Sequence, residues 1–138
     1  MSEIDRAALL GALPYARRFA RALTGAQSHG DAMVAKALRS GPRPVPGPEG
    51  ARLALFAAVA RIALSQPEDP ATPLPRIERM LLVLTSLEEL DLPMAAAVLG
   101  LEPDQAETML SAARERLRAA TAARVLIIED EPIIAMDL

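Results

Sequence analysis

Carboxylates stand where a nucleic-acid reader would place cations. Residues 93–118 pattern as a helix-turn-helix: Met94, Ala97 and Val98 supply an apolar stripe, Gly100 ends one helix, and Pro103 opens the next. That second helix begins with Glu102, Asp104 and Glu107, and Met109 and Ala112 follow. A DNA reader gains most of its affinity by neutralising phosphates with Lys and Arg. This face would repel them, so its chemistry points to a protein partner. A further acidic pair, Glu129 and Asp130, directly follows the apolar residues Val125, Leu126, Ile127 and Ile128. Paired carboxylates suit a hard cation such as Mg²⁺, and they also describe a plain acidic turn at a strand end. The one histidine, His29, has no second ligand nearby, and no nucleophile–base set or glycine-rich phosphate loop exists. These residues predict no enzyme.

The elements that must position this face are helical. Of the 138 residues, 51% are hydrophobic, mainly Ala, Leu, Val, Ile and Met, and the aromatics are only Tyr15, Phe19 and Phe56. That length allows one ordinary domain or two very small ones. The absence of cysteine excludes disulfides and thiolate metal sites and suits a reducing cytosol. No apolar run reaches the roughly 18 residues of a membrane span. The start, Met-Ser-Glu-Ile-Asp, lacks the basic region of an export signal, so a cytoplasmic location without membrane contact is expected.

Charge is segregated. Residues 1–65 hold nine basic and four acidic side chains, a balance of +5, and residues 76–110 hold two basic and seven acidic, a balance of −5. Such halves attract one another weakly, frame a partner of mixed charge, or are ordinary solvated faces.

Residues 1–66 read as a first lobe of helices. A short helix over residues 3–11, with Ser2 as a possible cap, precedes one from Pro14 to Leu23 that stops at Gly25. A third, from Ser28, closes at Gly41. Four prolines in residues 41–48 exclude regular structure there. A strongly apolar helix then spans about residues 49–66. Tyr15 and Phe19, at i and i+4, are expected in the core. Residues 67–75, with four prolines, read as an exposed linker. A second lobe covers residues 76–123, its first helix lined by Ile77, Met80, Leu81, Leu84 and Leu87. Residues 125–128 form the one convincing strand pattern.

Two such lobes resemble regions 2 and 4 of an extracytoplasmic-function (ECF) sigma factor. The likeness lies in residues 95–101 (Ala-Ala-Ala-Val-Leu-Gly-Leu), Ala106, Leu110, Ser111 and residues 113–118, and more weakly in residues 16–25. The departures, Glu107, Met109 and Ala112, fall on the outward face. In that family promoter opening uses aromatic side chains, each stacked base contributing about 1–3 kcal/mol, yet this chain has no Trp. Residues 125–132 resemble the first strand of a response-regulator receiver domain, and by that resemblance Glu129 and Asp130 help bind Mg²⁺ in an intact receiver. Residues 124–138 then read as its truncated start, unable to perform phosphoryl transfer.

A sigma-like module before a receiver is similar to the PhyR family, regulators of the alphaproteobacterial general stress response. The resemblance implies an all-α, two-lobe fold with a β-strand stub, acting as an anti-anti-sigma factor. Its expected partners are a NepR-type anti-sigma factor, sequestered to release the true sigma factor, and its own receiver, which covers the module when unphosphorylated. The alternative is a genuine ECF-type sigma factor that binds DNA. A helical partner would seek apolar anchors at helical spacing. Leu53, Phe56, Ala60 and Leu64 qualify in the first lobe, and Leu84, Leu87, Leu90 and Leu92 in the second, although each also suits a core. Glu88, with Glu89 and Asp91, could meet basic partner residues at the rim.

Overall fold

The computed structural model describes the backbone of residues 5–129 and the side chains of residues 5–123. The described chain is built of α1 (Arg6–Thr24), α2 (Gln27–Arg39), α3 (Gly50–Leu64), α4 (Arg76–Leu82), α5 (Leu92–Leu99) and α6 (Pro103–Glu129). A π-helical turn, Val83–Leu87, prolongs α4.

The two helices expected before Gly25 are one. Helix α1 runs 19 residues straight through Pro14. A helix-interior proline removes one amide donor and crowds the carbonyl four residues back. Continuity wins because Ala12, Ala16, Phe19, Ala20 and Leu23 form one buried stripe spanning the proline. Asp5 caps the start through the amide of Ala7, and Ser2, the cap expected from sequence, lies outside the described residues. Gly25 ends the helix at φ 74°, a left-handed position that glycine occupies without strain.

Helix α3 is apolar on nearly every side and is buried accordingly. Ala54, Leu55, Phe56, Ala58, Val59, Ala60 and Ala63 are all inaccessible. It packs on α1 and α2 in the first lobe and on α5 in the second. Phe56 meets Phe19 edge to face at 5.2 Å, the one aromatic pair in the core. A single buried cluster therefore extends from Ala12 on α1 to Leu110 on α6 and joins both lobes. Tyr15 departs from its expected core place. It is 41% exposed and lies under the guanidinium of Arg52, 4.6 Å from the ring centroid.

The Pro-rich stretch before α4 is largely exposed, as its composition requires, yet it is pinned. The Arg76 guanidinium donates to the carbonyls of Ala63 and Gln66 at 2.8 and 2.7 Å, and to Pro67 at 2.6 Å. Within the stretch, Leu74 is buried.

The lobes are also tied by charge. Glu88 is 2% exposed, and its carboxylate accepts a two-pronged bond from Arg18 at 2.9 and 2.8 Å. Arg52 donates to the Glu88 carbonyl at 2.7 Å and to its carboxylate at 3.4 Å. The hydrogen bond to Glu88 holds the Arg18 guanidinium above its ordinary pKa. The π turn aims Glu88 inward. The Glu88 amide bonds five residues back to Val83, and Glu89 then takes a left-handed φ of 59°. A second buried carboxylate, Glu78 on α4, pairs with Arg116 on α6.

The expected strand is not formed. Helix α6 continues through residues 125–128 to Glu129, 27 residues in all. A lone strand would leave its amides and carbonyls unpaired, because no second strand exists among the described residues. A helix satisfies each of them within its own backbone.

Four substitutions test these contacts. At Gly50 an added methyl would collide with the Val45 carbonyl, whereas nothing lies within 4 Å of one at Gly11. Gly50→Ala should therefore lower stability by about 1–3 kcal/mol, and Gly11→Ala should raise it by roughly 0.5–1 kcal/mol. Urea melts resolve the opposite signs. At the joint, Arg52→Ala should cost about 3 kcal/mol by leaving Glu88 short of a cation. Arg18→Ala should cost less, its side chain being 47% exposed. Equal urea midpoints for wild type and Arg52→Ala would refute a structural role for the joint.

Candidate functional site

The outward face of the second lobe is set by α5 and α6. Asp91 starts α5 by accepting the Met94 amide at 2.9 Å, and Gly100 ends it at φ 70°. Only Leu101 and Glu102 separate that cap from Pro103, the first residue of α6. Pro103 suits this first position because its missing amide would have had no helical partner. The Gln105 side chain reaches back to the Glu102 amide at 3.1 Å and closes the first turn. Ala106, Leu110 and Ala113 face inward and are buried. Their spacing forces Glu102, Asp104 and Glu107 outward, and all three are exposed. Asp104 also favours the positive end of the helix dipole. The presented surface is anionic.

Of the sequence-derived partner anchors, Leu64 and Leu87 are exposed, at 42% and 43%, and Leu53 and Leu92 are half-buried. Phe56, Ala60, Leu84 and Leu90 lie inside the shared core and present no surface in this packing. Glu88, read from sequence as a rim acid, is instead enclosed between Arg18 and Arg52. Its neighbours Glu89 and Asp91 remain exposed. Sequence reasoning missed Arg18, Arg52 and Tyr15 as a set. The one available signal was the opposite net charge of the two halves, which fixes no pairing.

The surplus of cations on the first lobe is partly consumed internally. Arg18 and Arg52 hold Glu88, and Arg21 holds Asp31 at 3.2 Å. His29 is exposed on α2. Glu129 ends α6, and Asp130 lies outside the described residues. Among the described residues no group of three or more His, Asp or Glu side chains converges to hold a metal ion. The side chain of Glu129 and the whole of Asp130, the pair expected to help bind Mg²⁺ in an intact receiver, lie outside the described residues. No helix among the described residues is long and apolar enough to cross a membrane.

Comparison with known proteins identifies this frame. Residues 9–60 match the family model described as the Sigma2 domain of PhyR. The phyllosphere-induced regulator PhyR of Methylorubrum extorquens is 38% identical over 91% of this chain, and the match covers 54% of that protein. The chain thus spans about half the length of the curated relative it matches. Among solved structures, the anti-anti-sigma factor PhyR of Bartonella quintana, determined in complex with the anti-sigma factor NepR, superposes with a TM-score of 0.66. It is 26% identical, over 77% of this chain and 47% of that one. The response regulator PhyR of Brucella abortus gives 0.59 at 30% identity, over 78% and 42% of the two chains. Residues 9–60 thus carry the domain described as the Sigma2 domain of PhyR, and the chain as a whole is similar in sequence and fold to PhyR proteins.

Proposed function

We propose that this chain is a sigma-factor mimic that binds a NepR-type anti-sigma factor and so frees the true sigma factor of a general stress response. It acts by binding, without chemical turnover, in the cytoplasm. The observation that carries this reading is the exposed acidic face of Glu102, Asp104 and Glu107, on a frame similar to the PhyR that was solved with NepR. A genuine promoter reader would need cations there.

A helical partner would first meet the exposed Leu64 and Leu87, with Leu53 and Leu92 beside them in part. Glu89 and Asp91 would steer its basic residues at the rim, raising the association rate more than the affinity. The deeper anchors Phe56, Ala60, Leu84 and Leu90 become available only if the lobes part. That movement must break the bonds from Arg18 and Arg52 to Glu88. In an intact protein, an unphosphorylated receiver would cover the same surface. The Mg²⁺ ascribed to Glu129 and Asp130 would belong to that complete receiver.

The test mixes this chain with a NepR-type anti-sigma factor from the same genome. One co-eluting complex is expected, with hydrogen-exchange protection rising in both lobes. Leu64→Asp and Leu87→Asp should each weaken binding by roughly tenfold or more. Being exposed, they should leave the urea midpoint almost unchanged. Failure to co-elute, unchanged protection, or a footprint at a specific promoter would overturn the reading.

A further inference from the structure

A cavity of about 620 Å³ lies where the end of α1, the face of α2, the end of α3 and the Pro-rich stretch before α4 converge. Such a volume falls within the range of small-molecule sites, about 300–1,000 Å³. Leu23, Met33 and Ile62 give it an apolar wall. Lys36, Arg39, Arg76 and Arg79 also line it, and the only lining carboxylate is Asp69.

These four cations differ from the others near the core. Arg18, Arg21, Arg52 and Arg116 each reach a carboxylate, whereas none of the cavity's four forms an ion pair among the described residues. Arg76 is held rigid by three backbone carbonyls, which fix its position without cancelling its charge. Arg79 makes no side-chain hydrogen bond among the described residues, and its Nε, like those of Arg21 and Arg52, is buried without an acceptor; of the three only Arg79 lines the cavity. Buried donors in folded proteins nearly always have a partner, and at the cavity wall a ligand acceptor could supply one.

We infer that this cavity binds a small phosphorylated molecule, its phosphates among Lys36, Arg39 and Arg79 and its organic body against Leu23, Met33 and Ile62. Four cations facing one carboxylate favour a ligand carrying more than one negative charge. Phosphate offers that charge together with several acceptor oxygens for guanidinium groups. The concave shape admits a small molecule and excludes a nucleic-acid duplex. Because its cations come from α2 on one side and α4 on the other, the ligand would bridge the first lobe to the start of the second. This site shares none of the eight apolar anchors or the rim acids assigned to the protein partner, so its occupancy can be measured without that partner.

The experiment titrates inorganic pyrophosphate into the whole chain at fixed low salt, followed by calorimetry and amide shifts. Saturable one-to-one binding is expected, with shifts centred on Lys36, Arg39 and Arg79. The double variant Lys36→Gln, Arg39→Gln changes two exposed side chains and should weaken binding by about tenfold or more. A control, Arg43→Gln with Arg61→Gln, removes the same charge elsewhere and should stay within about twofold. Absence of saturation at millimolar pyrophosphate would overturn the inference, as would equal weakening in the control. Tighter binding of a hexaglutamate peptide at the same amides would also overturn it, assigning the cavity to acidic polypeptide.

Discussion

A buried carboxylate governs how the two halves of this protein meet. Glu88 could not remain charged in the interior alone, because transferring an isolated ion out of water costs far more than one contact returns. Two guanidiniums resolve this, and both come from the other lobe, Arg18 from α1 and Arg52 from α3. Closure of the lobes and neutralisation of Glu88 are thus one event. The irregular backbone around Glu88 is part of the same arrangement. A π-helical turn and a non-glycine residue at positive φ are each uncommon, and together they turn the acid away from solvent. Leu84 and Leu90 flank Glu88 in sequence and enter the shared core, so the polar tie and the apolar seal reinforce each other.

Much of this fold could be read from the chain's own pattern. The order of helices, the two proline-rich breaks, the glycine stops at Gly25 and Gly100, and the acidic outward face all follow from spacing and local chemistry. The errors arose where tertiary context overrules local signals. Pro14 normally punctuates, yet an uninterrupted buried stripe carries α1 through it. The β-branched residues near the end of α6 favour a strand, yet a strand requires a neighbour, and no local pattern can supply one. Glu88, Phe56 and Leu84 were legible as recognition chemistry because acids and leucines serve surfaces and interiors alike. Only the three-dimensional pairing of Glu88 with Arg52, 36 positions away, decides which.

The distribution of change across the second lobe has a physical logic. Ala106, Leu110 and Ala113 keep the packing that holds α6 against its neighbours, so the frame persists. Of the residues between them, Glu107, Thr108 and Ser111 are exposed and free to change charge, whereas Met109, expected on the outward face, is partly buried and packs against the core. A surface is free to vary in sign while its support is not. This separation lets the charge of an outward face differ from that of a nucleic-acid reader while the helical frame stays the same.

The stacking of Tyr15 beneath Arg52 has an optical consequence. The chain has one tyrosine and no tryptophan, so its intrinsic ultraviolet emission comes almost wholly from this ring. The ring rests on the same guanidinium that holds Glu88, so its brightness and polarisation report the state of that contact. The protein carries a built-in fluorophore at the joint between its halves, and any change in that contact can be timed in a stopped-flow cell with no label attached.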